Sequence, residues 1–195
     1  DKTGTLTLNR LTLQGFMVDK QYQEISKISD NLPEKYHRLF EYGILASQRD
    51  PFDPLEKEIK SKGEGYLKGS EHIHENWHLV KEYPLSKELL ALSHVFQSPD
   101  NKNYVIAAKG APEAIADLCH FSKKQHEELI KNIKLMSAKG LRVIGVAKAL
   151  FNKGDLPKIQ HDFPFEFIGL LGFVDPIRVA VPQSVKECYQ AGIRV

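Results

Sequence analysis

The chain opens Asp1-Lys2-Thr3-Gly4-Thr5-Leu6-Thr7, and this heptad has the makings of an aspartate that accepts a phosphoryl group. Attack on the γ-phosphate of ATP requires an oxygen nucleophile, a nearby cation, hydroxyl or backbone donors, and a glycine where chain and phosphate approach closely. Asp1 offers the carboxylate, Lys2 the cation, Thr3 and Thr5 the hydroxyls and Gly4 the room. The plainer alternative is an Asp/Thr/Gly-rich turn. A second group stands at Lys109-Gly110-Ala111-Pro112-Glu113. It closes a strand pattern and opens a helix, a junction at which a lysine and free backbone amides can meet an anion. Lys109 is therefore the first candidate for contact with ATP, although the pentapeptide taken alone reads equally as a strand-to-helix turn with proline at the first helical position. His72 and His74 have the spacing of one strand face, with His78 nearby. No carboxylate or cysteine at a sensible spacing completes a tetrahedral metal set with them, so they read as exposed histidines.

Positioning these groups calls for a sheet with helices on it. Leu6, Leu8, Leu11 and Leu13 alternate with polar residues over residues 5–18, the period of one or two strands. Asn31 and Pro33 open a helix on which Tyr36, Leu39, Phe40 and Ile44 recur at helical spacing. Asp53-Pro54-Leu55-Glu56 supplies N-cap, N1 proline and capping-box glutamate for a second helix ending near Gly63. Residues 77–83, 89–97 and 104–108 read as a meander of strands, with a turn at Ser98-Pro99-Asp100-Asn101. Helices follow from Pro112 to Cys119 and from Ser122, boxed by Gln125, to Gly140; Leu129, Ile130, Ile133 and Met136 form one face of the latter. Residues 141–150 and 165–174 are strands, residues 180–192 an amphipathic helix stopped by glycine, and Ile193-Arg194-Val195 starts a further strand. Strands clustered in hairpins without βαβ alternation predict an α+β fold, an antiparallel β-sheet flanked by helices, as one compact domain between two short ends.

Composition narrows the function classes. A hydrophobic content of 42% with 27% charged residues is that of a soluble globular protein and excludes disorder. The net charge of +2 is spread along the chain, with no clustered Lys/Arg interleaved with aromatics, which argues against nucleic acid. Cys119 and Cys188 stand far apart without metal-ligand spacing, as two reduced thiols of a cytosolic domain would. The longest nearly apolar run, residues 167–174, is too short for a membrane-spanning helix. With no initiator methionine, no signal peptide and a start inside a catalytic motif, the expectation is a piece of a longer protein whose membrane part lies elsewhere.

The heptad and the Lys-Gly-Ala-Pro-Glu pentapeptide resemble those of the P-type ATPases, in particular the calcium-pump-like, cation-transporting group, and the resemblance runs the length of the chain. It implies that Asp1 becomes an aspartyl-phosphate during ion transport, with Lys2 and Thr3 to Thr5 beside the phosphate and Mg²⁺ held by Asp1 and the Thr3 carbonyl. It also implies that Lys109 and Gly110 line an ATP pocket and that Glu56 reaches the adenine amino group. Arg142, in Lys139-Gly140-Leu141-Arg142-Val143, would contact the nucleotide phosphates and Ile144 would wall the adenine. A capping box remains an adequate account of Glu56, and a solvated strand position of Arg142. The pattern breaks between Tyr83 and Ser93, where many members carry a phenylalanine stacked on adenine and a lysine further on. Here Leu85 and Leu90 stand at those positions. Losing the aromatic face forfeits stacking on the order of 1 kcal/mol, so weak ATP affinity is expected unless Tyr83 turns in to substitute.

Asp175-Pro176-Ile177-Arg178 resembles the family's Asp-Pro-Pro-Arg hinge, with Ile177 in place of the second proline. Together with residues 7–9 it would form the two chain crossings between domains, Asp175 and Arg178 helping them close on ATP. The implied organisation is a phosphorylation-domain segment of HAD-like fold (1–9), a nucleotide-binding domain (10–174), and a hinge with a second phosphorylation-domain segment (175–195). The implied function is the ATP-binding cytoplasmic part of an integral membrane cation transporter, expected in a bacterial plasma membrane. Its partners would be the phosphorylation, actuator and membrane domains of the same chain and a cation held by the last of these. Without the family's downstream Thr-Gly-Asp and later aspartates, the 195 residues are expected to bind nucleotide without turnover. Two alternatives stay open: a non-catalytic nucleotide-binding module, which would explain Leu85 and Leu90, and a phospholipid flippase of the same family. A soluble phosphatase using an aspartate nucleophile is disfavoured, because Thr3 stands where such enzymes carry a second aspartate.

Overall fold

Tyr104-Val105-Ile106-Ala107-Ala108 lacks polar alternation because both of its faces are covered, which places it at the centre of a sheet. The computed structural model describes residues 4–8, 10–28, 31–98 and 102–194. Within them, β1 (Thr12–Val18), β2 (Gln21–Glu24), β3 (Leu79–Tyr83), β4 (Ala91–Gln97), β5 (Asn103–Gly110), β6 (Arg142–Asn152) and β7 (Glu166–Val174) pair in the order β2-β1-β7-β6-β5-β4-β3. Every pairing is antiparallel. The helices are α1 (His37–Leu45, entered through a 3-10 turn at Glu34–Tyr36), α2 (Pro54–Leu67), α3 (Pro112–Leu118), α4 (Lys123–Ser137) and α5 (Val181–Gln190). The expected antiparallel sheet flanked by helices is the observed fold.

Side-chain parity divides the core. Val105, Ala107, Ile144, Val146, Leu171 and Phe173 share one cluster with Leu39 and Phe40 of α1 and Leu55 and Ile59 of α2. Ile106, Ala108 and Ala147 project oppositely, into a cluster with Ile115 and Leu118 of α3. Leu129 and Met136 of α4 cover Met17 and Leu170 farther along that second face.

Three local expectations shift. α2 continues past Gly63 to a fully buried Leu67, because Gly63 is a contact between helices: a Cβ there would stand 2.7 Å from Ile44 Cδ1. Ile130 is 44% exposed, so the buried stripe of α4 is narrower than its apolar spacing suggested. Ile193 ends a helix rather than starting a strand: its N–H donates to Cys188 O (2.8 Å) and that of Gly192, at φ 77°, to Tyr189 O (3.1 Å). These two bonds form a Schellman motif. The turn at residues 98–101 falls largely on Pro99, Asp100 and Asn101, outside the described residues. No described helix is long and apolar enough to cross a membrane.

The registers Thr12↔Val174, Arg142↔Phe173, Gly110↔Gly145 and Ala91↔Gly110 bring the starts of β1, β4 and β6 beside the ends of β5 and β7. One end of the sheet thereby collects Lys109, Gly110, Arg142 and the Asp175 crossing.

Candidate functional site

Asp53 caps α2 by accepting from Leu55 N (2.8 Å) and Glu56 N (3.2 Å), and Pro54 fills N1, so Glu56 becomes N3 on the first turn. Its carboxylate does not return to the N-cap backbone as a capping box requires. Glu56 Oε2 accepts from Gln48 N (3.2 Å) and Oε1 from Lys109 Nζ (2.5 Å). Lys109 also donates to Ala46 O (2.5 Å) and Ser47 Oγ (3.0 Å), so all three ammonium protons have acceptors. Both partners are buried, Lys109 at 5% and Glu56 at 8% exposure.

Helix ends make this burial tolerable. Lys109 meets the Ala46 carbonyl at the negative end of α1 and Glu56 sits at the positive end of α2, each favoured by the local dipole. Burial still pushes the Lys109 ammonium below the usual lysine range, and the hydrogen bond and charge of Glu56 work against that shift. His94 on β4 completes the arrangement: Nδ1 donates to Leu45 O (2.9 Å) and Nε2 lies 3.5 Å from Glu82. Its burial, with Lys109 nearby, keeps the imidazole below the ordinary histidine range. Ser47 and His94 were not singled out by sequence reasoning. The one hint was an α1 whose last turn lacks a basic residue and therefore needs donors from elsewhere.

Lys109 pairs in register with Val146, and Ile144 and Arg142 follow at strand spacing opposite Leu171 and Phe173. Lys109, Ile144 and Arg142 thus project on the α1/α2 face, together with Glu56. α3 lies on the other face, so lysine and helix N-terminus do not converge on one anion as expected. Gly110 is required by packing: a Cβ would fall 2.3 Å from Leu90 O and 2.5 Å from Ala91 Cα. Leu85, Leu90, Gly110, Arg142 and Ile144 line a cleft of about 620 Å³ at this end of the sheet, together with Pro112 and Glu113 at the start of α3 and Ile133 and Ser137 of α4; the buried Lys109 and Glu56 are not among its lining residues. Leu85 and Leu90 stand 56% and 53% exposed at its rim. Tyr83 is not brought to this group. Its ring is buried in the α3-side cluster, edge-on to Phe163, and its hydroxyl donates to Pro157 O (2.5 Å), so it does not turn in as an aromatic wall.

The Asp175 crossing is a bonded unit. Asp175 accepts from Thr7 Oγ1 (2.6 Å) and Arg10 N (3.2 Å), while Arg178 donates to Thr7 O (3.1 Å) and Gly4 O (2.8 Å). Leu8 N donates to Pro176 O (2.9 Å) and Arg178 N to Leu6 O (2.9 Å), fastening the two chain passages to each other. Asp1, Lys2 and Thr3 lie outside the described residues.

The histidines differ from expectation too. His72 and His74 are half-buried, and both donate to one buried carboxylate, Glu41 Oε2 (2.8 Å) and Oε1 (2.6 Å). Carboxylates distant in sequence thus complete a group that spacing alone did not reveal.

Over residues 56–180 the chain matches the family described as P-type ATPase, cytoplasmic domain N. It is 26% identical to calcium-transporting ATPase 1 of Bacillus cereus, with all of this chain and 23% of the relative covered. It is 28% identical to plasma membrane calcium-transporting ATPase 4 of Bos taurus, with all of this chain and 19% of the relative covered. The sodium/potassium exporting P-type ATPase cta3 of Schizosaccharomyces pombe is 29% identical over 73% of the chain and 15% of its own length. The chain therefore spans less than a quarter of these relatives. A sheet end that joins a buried lysine–glutamate pair, an arginine-lined cleft and a double chain crossing agrees with the family match, and the chain belongs to the P-type ATPases, as their cytoplasmic domain N.

Proposed function

We propose that this chain binds ATP for a cation-transporting P-type ATPase, presenting the γ-phosphate to Asp1, whose phosphorylation is coupled to ion movement across a membrane. The observation that carries the reading is the buried Lys109–Glu56 pair, on the same sheet face and at the same sheet end as Arg142 and Ile144, beside the cleft that Gly110 also lines. Adenine would lie against Ile144 and Leu85, Glu56 and Lys109 would read its polar edge by exchanging one of their present internal hydrogen bonds for it, and exposed Arg142 would be directed to the phosphates. Leu85 supplies apolar area without a π-face, which predicts modest affinity.

The donor set Asp1 carboxylate and Thr3 carbonyl is all oxygen, the type a hard cation prefers, so these two residues would hold Mg²⁺. The ion would neutralise phosphate charge at that point. Lys2 would do the same from the protein side, and phosphoryl transfer is accelerated mainly by such positioning and charge compensation.

Residues 10–174 serve as the nucleotide-binding unit, and residues 1–9 with 175–195 as passages into a phosphorylation domain. Ile177, Val179, Tyr189 and Ile193 are exposed large apolar residues, and α5 buries none of its own, which supports a further domain covering this end. The bonded crossing of Thr7, Asp175 and Arg178 then acts as the hinge about which nucleotide and Asp1 approach.

An NMR titration with a non-hydrolysable ATP analogue tests the pocket: resonances of Glu56, Lys109, Gly110 and Arg142 should move together. Shifts confined to other surfaces refute it. In the whole transporter, an acid-stable, hydroxylamine-labile phosphate at Asp1 tests the chemistry. Binding without that label in the intact protein would support the non-catalytic module that Leu85 and Leu90 suggest.

A further inference from the structure

We propose that Glu34, His37 and His72 form a binding site for a divalent transition metal, of which Zn²⁺ fits the donors best. Two of them, three residues apart, come from the 3-10 turn before α1 and the first residue of α1, and the third from the turn after α2. One ligand atom from each lies within 4.8 Å of the other two.

Tautomers decide the case. His37 Nε2 lies 2.7 Å from Leu32 O, and a carbonyl only accepts, so that nitrogen carries the proton. His72 Nδ1 lies 2.8 Å from Glu41 Oε2, and the buried Glu41 carboxylate likewise accepts, here from His74 as well. Of the other two nitrogens, His37 Nδ1 is left with a lone pair, whereas His72 Nε2 donates to Glu34 Oε1, a proton that a metal ion at this point would displace. Both face the same carboxylate: Glu34 Oε2 is 3.0 Å from His37 Nδ1, and Glu34 Oε1 is 2.9 Å from His72 Nε2. His37 Nδ1 is near that oxygen yet out of line for a hydrogen bond, and among the described residues it is the one buried side-chain nitrogen or oxygen without a partner.

One unpartnered ring nitrogen, one displaceable ring N–H and a carboxylate converge on one point, the donor arrangement that a cation would complete. The proton on His72 Nε2 leaves His37 Nδ1 unpartnered, whereas one divalent ion satisfies both nitrogens and the carboxylate at once. The outer shell of such a site already exists, since ligating histidines typically donate their second N–H to a backbone carbonyl or a carboxylate. Leu32 O and Glu41 are those partners. Zinc–ligand bonds of about 2.0–2.1 Å in tetrahedral array separate ligand atoms by about 3.4 Å, so the two histidine–Glu34 gaps of 3.0 and 2.9 Å must each open by about 0.4 Å. Glu34 can supply that movement, because its side chain is 77% exposed. Two imidazoles and one carboxylate suit Zn²⁺ and leave a fourth position for water, whereas Mg²⁺ prefers an all-oxygen octahedron. The bound ion would tie the start of α1 to the turn after α2, and the far end of α1 holds Lys109.

Isothermal titration of the EDTA-stripped 195-residue chain with Zn²⁺ alone tests the site, with Co²⁺ as a spectroscopic substitute. The expected result is one ion per chain at micromolar affinity or tighter, with the intense visible bands of four-coordinate cobalt. Glu34→Gln, which alters an exposed side chain, and His72→Ala should each weaken binding at least tenfold. The control His78→Ala, at an exposed histidine outside the cluster, should change it less than twofold. Metal-free melting curves establish that the variants are folded. Millimolar binding, equal affinity in Glu34→Gln and the parent chain, or the weak bands of octahedral cobalt would each overturn the proposal.

Discussion

Replacing Lys109 by methionine keeps most of the aliphatic stem and removes the ammonium. Three acceptors then lose their donor: Ala46 O, Ser47 Oγ and Glu56 Oε1. Glu56 remains buried, held only by Gln48 N and the amino end of α2. Removing one partner of a buried ion pair costs about 3–5 kcal/mol, mainly for the charge left behind. Glu56→Gln strands Lys109 in the same way and should cost about 3 kcal/mol. The double variant leaves no charge buried at this position, so it should lose about 3–4 kcal/mol instead of the sum of about 6–8, a coupling of about 3 kcal/mol. Urea unfolding of the four proteins measures this, provided the m-values agree. Calorimetric titration with an ATP analogue supplies the functional axis, where the double variant should bind at least tenfold more weakly. Additivity within about 0.5 kcal/mol would show that the pair is not coupled as its geometry requires. Intact nucleotide affinity in a folded double variant would make the pair purely structural and remove the main support for the proposed pocket.

Three further outcomes follow from the same geometry. Gly110→Ala drives a methyl group into Leu90 O and Ala91 Cα, both backbone atoms, and should cost about 2–3 kcal/mol in urea unfolding; a neutral result would mean that the ends of β4 and β5 are not packed this closely. Leu85→Phe restores an aromatic face at the cleft rim and should tighten ATP-analogue binding about fivefold, the equivalent of about 1 kcal/mol of stacking, and unchanged affinity would remove Leu85 from the adenine wall. His94, facing Glu82, Lys109 and Glu56, is held neutral by burial, so the unfolded chain takes up its proton first as pH falls. The stability it contributes is complete above about pH 6.5 and is lost on acidification towards its lower folded value, at up to about 1.4 kcal/mol per pH unit. Comparing the parent chain with His94→Asn between pH 7.5 and 5.5 isolates that slope, and identical pH profiles would contradict it.

Local pattern was legible wherever a single element decides the outcome. The cap at Asp53-Pro54, the box of Ser122 with Gln125 and the stop at Gly140 depend on residues within one turn of each other, and all three stand where sequence reasoning put them. The hairpin grouping of strands likewise predicted an antiparallel sheet, because short connections leave few other ways to satisfy backbone hydrogen bonds. Glu56 shows where local reasoning fails. A glutamate at N3 satisfies the capping-box rule, and only the arrival of Lys109 from β5, fifty-three positions away, turns its carboxylate elsewhere.

By themselves, the residues determined an antiparallel sheet with covering helices, and two motifs whose resemblance pointed to the P-type ATPases. Tertiary structure alone decided which face each side chain meets. Strand parity is relative until the sheet acquires its helices, so the sequence could not say that Lys109, Ile144 and Arg142 share the α1/α2 face while Tyr83 is buried on the α3 side. Nor could it bring Glu34, Glu41, His37 and His72 together, since their contacts exist only once α1 and the turn after α2 pack side by side.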